Sequence, residues 1–111
     1  MGHGGWAIET TEGALAGQVA ITKPPHFAET EIGWILFDGF EGRSLAFEAA
    51  RLALDWAWSA LPLSTLVSYI DAGNARSIAL AERLGAVMDP KAARHDDRDV
   101  VYRHSAPKGA A

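Results

Sequence analysis

Between an apolar run, Glu31 to Phe37, and a helical pattern that continues to Leu61 stands a turn, Asp38-Gly39-Phe40-Glu41-Gly42-Arg43-Ser44. Backbone N–H groups in the first turn of a helix have no partner inside it and lie at the positive end of its dipole. A turn placed there receives anions, phosphate above all, so Glu41 to Ala46 is a candidate anion site to which Arg43 adds positive charge. The same residues also fit a plainer description, a strand-to-helix loop with a glycine. A second helix start follows at Asp71-Ala72-Gly73-Asn74. Asn74 is a good N-cap there, because its side-chain oxygen takes one of the orphan N–H groups.

Other reactive residue types are less organised. His3, His26, His95 and His104 show no ligand spacing, and His95-Asp96-Asp97 lies in a stretch whose mixed charges read as a hydrated hairpin loop. No metal site is predicted. The absence of cysteine excludes a disulfide framework and a thiolate metal site. Glu31, alone at the head of its strand, reads first as a solvated carboxylate, and Ser77 as a first-turn helix residue. Trp34, Trp56 and Trp58 read as packing groups.

These residues must be positioned by the elements around them. Trp6 to Thr10 and Leu15 to Thr22 have strand character and are separated by a glycine-bearing reversal, so they form a hairpin. Lys23-Pro24-Pro25-His26 opens a loop, since proline donates no ladder hydrogen bond. Glu31 to Phe37 is apolar at nearly every position, as in a strand covered on both faces. Leu45, Ala49, Leu52, Ala53, Trp56 and Ala57 recur at helical spacing from Arg43 or Ser44 and stop before Pro62. Ser64 to Ile70 is a further strand; the helix after Asn74 buries Ile78, Ala81 and Leu84 and ends at Gly85 in a left-handed cap. A short strand, Ala86 to Met88, and a last one, Val100 to His104, complete a mixed α/β sheet.

At 111 residues the chain suits one domain with its own core, and 49% hydrophobic residues with four tryptophans argue against disorder. The net charge of -4 gives no global attraction to nucleic acid or to an acidic membrane, and the longest apolar runs fall short of a membrane span. A cytoplasmic location is predicted. The opening MGHGG reads as a natural flexible start or as an added remnant, in either case without function, and SAPKGAA as a frayed tail.

From Glu31 to Ala86 the chain resembles the acyl-CoA-binding core of a GNAT-superfamily N-acetyltransferase, of the ribosomal-protein N-acetyltransferase type. The first segment is Glu31-Ile32-Gly33-Trp34 followed by Phe40-Glu41-Gly42-Arg43-Ser44-Leu45-Ala46-Phe47-Glu48-Ala49. It is similar to the family's Glu-hydrophobic-Gly strand, Gln-Gly-Lys/Arg-Gly-aromatic-Ala turn and following helix. The second, Asn74-Ala75-Arg76-Ser77 leading to Glu82-Arg83-Leu84-Gly85, is similar to the family's Asn-x-x-Ser helix that closes Glu-Lys/Arg-Leu-Gly.

The resemblance implies a GNAT-like domain over residues 1–111, with a mainly antiparallel mixed sheet and helices packed on it. It implies that Glu41, Gly42, Arg43, Ser44, Leu45 and Ala46 wrap the pyrophosphate of acetyl-CoA. It also implies that the strand edge at Ile35, Leu36 and Phe37 pairs with the pantetheine amides and that Asn74 hydrogen-bonds the same arm. Direct transfer to a primary amine, such as a protein N-terminus, needs a base and an acid. Glu31 is the candidate base, directly or through water, and Ser77 the candidate partner of the leaving sulfur. Ala81 stands where many relatives outside this branch have a tyrosine.

Three departures accompany the likeness. Glu41 replaces a glutamine and repels a pyrophosphate unless it turns to solvent, while Ser44 replaces a glycine that permits close backbone approach. The strand and two helices that precede the hairpin in the family are not found before Trp6, which predicts an N-terminally truncated domain with an uncovered sheet face and hence a homodimer. The competing expectation is a truncated or degenerate domain that acts as a non-catalytic CoA-binding or interaction module.

Overall fold

The computed structural model describes residues 2–9, 12–23, 29–37, 45–94 and 96–107. The strands are β1 (Gly2–Glu9), β2 (Leu15–Thr22), β3 (Glu31–Leu36), β4 (Thr65–Asp71), β5 (Val87–Met88) and β6 (Asp99–Ser105). The helices are α1 (Leu45–Ala60), between β3 and β4, and α2 (Ala75–Arg83), between β4 and β5. The strands join in one sheet in the order β1-β2-β3-β4-β6-β5. Every pair is antiparallel except β3 with β4. This is the mixed, mainly antiparallel architecture expected from the sequence.

Cross-strand partners share a face of the sheet. Val19 lies opposite Trp34, Ile21 opposite Ile32, Leu66 opposite His104 and Ser68 opposite Tyr102. These residues form the face on which both helices pack. One buried cluster joins Val19, Ile21, Ile32 and Leu66 to Ala50, Ala53, Leu54, Ala57 and Trp58 of α1. A second joins Ile70 and Tyr102 to Ala81 of α2 and to Ala86. Trp34 packs against both clusters, so the two helices share one side chain as their common wall.

On the opposite face Arg103 organises the contacts over β4 and β6. Its guanidinium donates to both oxygens of Glu29 at 2.7 Å, to Asp89 at 2.9 Å and to Thr65 Oγ1 at 3.0 Å. The fork geometry suits a carboxylate pair, and it ties the approach to β3 and the end of β5 onto the sheet.

The structure corrects three local expectations. Strand β1 begins at Gly2, four residues ahead of Trp6, so the glycine-rich start belongs to the sheet rather than to a flexible tail. A Cβ at Gly4 would lie 2.9 Å from the Trp6 ring, which meets Trp56 edge-on with centroids 5.1 Å apart. Glycine there makes room for the indole. In α1 the buried stripe is Ala46, Ala50, Ala53, Leu54, Ala57 and Trp58, whereas Leu52 is 70% exposed. Four alanines bring the helix axis close to the sheet, Leu54 and Trp58 fill the space beside them, and Leu52 is left on the outer side. The ending enters the sheet as far as Ser105, where Ala106 N–H bonds the Ser64 carbonyl.

Helix α2 has the caps its sequence announces. Asn74 Oδ1 accepts from Ser77 N–H at 3.2 Å. At the other end Gly85 N–H bonds the Glu82 carbonyl and Ala86 N–H the Ala81 carbonyl, with Gly85 at φ 92°. That pair of bonds is a Schellman motif, which places glycine in the left-handed region.

Candidate active site at the split between two parallel strands

The parallel ladder between β3 and β4 consists of one residue pair, Glu31 opposite Val67. Val67 N–H bonds the Thr30 carbonyl at 3.1 Å, and one step further the Ser68 hydroxyl donates to the Ile32 carbonyl at 2.8 Å. Beyond that point the strands part. Phe37 N–H bonds the Ala16 carbonyl on β2 at 2.7 Å. Because main-chain groups alternate sides along a strand, Trp34 and Leu36 turn theirs toward the split. Their N–H and C=O groups form an open strand edge.

Two hollows that share part of their lining border the split. One, of about 350 Å³, opens on the sheet face away from the helices and is lined by Gln18, Glu31, Gly33, Tyr69 and Asp71 among others. The other, of about 610 Å³, lies between β3, the start of α1 and one side of α2, against Leu36, Leu45, Ala46, Arg76 and Arg83. Trp34, Ile35, Asn74 and Ser77 border both hollows. These four residues form the wall common to both.

Glu31 lines the first hollow at the point where β3 is still paired with β4. Burial raises its pKa above the ordinary 4.5, opposed by a hydrogen bond from Tyr69 N–H and reinforced by the negative charge of Asp99. Desolvation disfavours the carboxylate, so its basicity exceeds that of an exposed glutamate. Tyr69 lines the same hollow, and burial, followed by the charges of Glu29 and Glu31, raises its own pKa.

At the start of α2, the Trp34 indole N–H donates to Ser77 Oγ at 3.2 Å. The hydroxyl keeps its own proton, which is available to an acceptor in the hollow. Asn74 spends its oxygen on the cap and retains its amide N–H groups. Leu45 and Ala46 open α1 beside the second hollow, while Glu41, Gly42, Arg43 and Ser44 lie outside the described residues. Ile35 borders both hollows; Leu36 contributes to the open edge, and Phe37 N–H is already bonded to β2.

This arrangement has relatives. Residues 1–87 match the family model described as an acetyltransferase (GNAT) domain. The chain belongs to the GNAT acetyltransferase family. Its fold also matches an acetyltransferase from Agrobacterium tumefaciens at 46% identity and TM-score 0.88, covering 94% of this chain and 61% of that one. Two more distant structures share the fold. A ribosomal-protein-S5-alanine acetyltransferase from Vibrio fischeri is 18% identical with TM-score 0.71, over 85% of this chain and 56% of that one. A chimeric spermidine N-acetyltransferase, built from Vibrio cholerae and a second source, is 19% identical with TM-score 0.66, over 89% and 63%. The acetyltransferase domain thus spans about three fifths of the length of these chains.

Within the acetyltransferase domain, sequence reasoning named Glu31, Ser77, Asn74 and the β3 edge, and the structure gathers all of them around one split. It missed Ser68, Tyr69 and His104, and it took Trp34 for packing alone. Ser68 was the legible hint, a hydroxyl inside the run Leu66-Val67-Ser68-Tyr69-Ile70 where an apolar residue is expected. Among the described residues no group of three His, Asp or Glu side chains is arranged to hold a metal ion. His95 lies outside the described residues. No helix among them is long and apolar enough to cross a membrane.

Proposed function

We propose that this domain is an acetyl-CoA-dependent N-acetyltransferase that moves the acetyl group to a primary amine, a protein N-terminal amine in the ribosomal-protein type. The observation that carries the reading is the open β3 edge, where Trp34 and Leu36 main-chain groups border a hollow floored by the start of α1 and one side of α2. Such an edge binds a chain of amides by strand addition, whatever side chains it bears. Acetyl-CoA supplies a thioester, already activated toward amines.

The chain's own residues then divide the work. The main-chain groups of Trp34 and Leu36 hold the pantetheine arm, with Ile35 beside it and the strand end at Phe37 anchored on β2, and the Asn74 amide donates to the arm. Glu41, Gly42, Arg43, Ser44, Leu45 and Ala46 receive the pyrophosphate at the α1 start. Glu31, lining the opposite hollow, takes the proton of an acceptor ammonium directly or through one water. Ser77, whose oxygen is held by Trp34, donates its proton in a hydrogen bond to the departing sulfur as negative charge collects there. The proton lost by the amine leaves on Glu31 or its water, and the thiolate takes one from solvent.

Titration calorimetry with acetyl-CoA tests binding, and thiol release across amines and N-terminal peptides tests transfer. No heat at high micromolar ligand would remove the enzyme reading. Binding without thiol release would leave the non-catalytic CoA-binding module.

A further inference from the structure

Where β3 and β4 part, the contact that ends their pairing is made by a side chain. Ile32 offers its carbonyl toward β4, and the Ser68 hydroxyl fills the place of a ladder N–H at 2.8 Å. A carbonyl can only accept, so the single Ser68 proton is committed to it. The 2.9 Å contact between Ser68 Oγ and His104 Nε2 must then be donated by the ring. His104 is therefore the neutral tautomer protonated on Nε2, and its Nδ1 is buried without a hydrogen-bond partner. Both residues are 2% exposed, on adjacent strands of the helix-covered face.

The ring also faces the site. It meets Trp34 edge-on, with centroids 6.3 Å apart and planes at 87°. Trp34 in turn holds Ser77. The contacts run without a break from the Ile32 carbonyl through Ser68, His104 and Trp34 to the start of α2.

We propose that Ser68 and His104 are positioning residues that fix the point at which β3 and β4 part and hold Trp34, and through it Ser77, against the open edge. The consequence for acetyl-CoA rests on the acyl-CoA reading of the split; the consequence for Trp34 does not. A full main-chain ladder would close the edge, and no tie would leave the Ile32 carbonyl buried and unpaired. The serine clip stops pairing at one residue.

Three variants test this: Ser68→Ala, His104→Leu and His104→Gln, the last keeping an N–H at the ε position. Nitrogen NMR of the parent should place the His104 proton on Nε2, and a proton on Nδ1 would overturn the proposal. Hydrogen exchange of the Trp34 indole N–H should quicken about tenfold in Ser68→Ala and His104→Leu and stay near parental in His104→Gln. Parental exchange in all three would overturn it, as would equal acceleration in the two His104 variants. If Ser68→Ala does not fold, the two His104 variants carry the comparison. Acetyl-CoA should bind about tenfold more weakly to Ser68→Ala and His104→Leu, with His104→Gln restoring affinity. Faster indole exchange with unchanged affinity would confine the pair to a structural role and overturn positioning of the site. Absence of acetyl-CoA binding by the parent would sink the proposed function, while the indole exchange would still decide for or against the pair.

Discussion

Glu31 is held in two opposed ways, by burial that favours its protonated form and by the Tyr69 N–H that favours the carboxylate. Burial is the larger effect, so its folded pKa lies above 4.5 and the folded chain retains the proton more strongly than the unfolded one. That contribution is full below the unfolded pKa and is lost as pH rises through the folded one. At pH 7 the ionised side chain is thus a stability cost, and Glu31→Gln should raise the melting temperature while lowering acetyl transfer by about 100-fold or more. A melting scan and a thiol-release rate on the same preparation check both signs; a fall in stability with unchanged rate would remove Glu31 from the chemistry. The cap of Asn74 and its proposed donor role separate as cleanly. Asn74→Asp keeps the cap oxygen and loses the amide donor, so it should hold the melting temperature and weaken acetyl-CoA binding. Asn74→Ala should lose both, with about 1 kcal/mol of stability. Asn74 was legible in the sequence because a cap is a local event. The meeting of Ser68 with His104, and of both with Trp34, was not, because it depends on strand pairing, across 36 residues for Ser68 and His104.

At the scale of elements, β2 and β3 meet more closely than ordinary side chains permit. A Cβ at Gly17 would run into the Ile35 carbonyl and lie 2.9 Å from Leu36 Cα. Those residues belong to the strand whose other edge borders the split, so Gly17 sets how far β3 lies from it. Gly17→Ala must push the β3 backbone outward, at about 1–3 kcal/mol of stability, and should weaken acetyl-CoA binding because the edge moves with it. Urea unfolding and calorimetry on this one variant check the pair of effects; lost stability with parental affinity would mean the edge is not where the ligand lies. The sequence reading placed every strand and both helices, since periodicity, prolines and caps are local signals. On α1 it placed Ala49, Ala53, Trp56 and Ala57 against the core correctly and misplaced Leu52, because hydrophobicity alone does not say that Leu54, two positions on, is the leucine that faces the sheet. Nor was the single-pair ladder of β3 with β4 legible. A strand apolar on nearly every position does not reveal where its pairing stops.

For the whole molecule, acid should act first through His104. Burial, with the positive charge of Arg51 on α1 adding to it, lowers its pKa from 6.5 to about 4; its other neighbours, Ser68 on β4 and Trp34 on β3, carry no charge. Between those values the unfolded chain takes a proton that the folded chain refuses. The stabilisation is therefore complete above pH 6.5 and shrinks as pH falls, by about 1.4 kcal/mol per unit and on the order of 3 kcal/mol in all. Glu29 and Asp89 respond later. The Arg103 hydrogen bonds hold both carboxyls below their ordinary values, so their support is present above those values and is lost as pH drops through the folded ones. Glu31 works in the other direction, its protonation giving back part of what His104 takes. The expected profile is flat above pH 6.5, sloping from there toward pH 4.5 and steeper below as the Arg103 ties to β3 and β5 release. His104→Gln should flatten the upper slope and leave the lower one, since glutamine cannot take up a proton and Arg103 is untouched. Urea unfolding of parent and variant at pH 7, 6, 5 and 4 measures both slopes. An upper slope that survives in the variant would show that another group titrates there, and the buried ring would not be what makes this fold sensitive to mild acid.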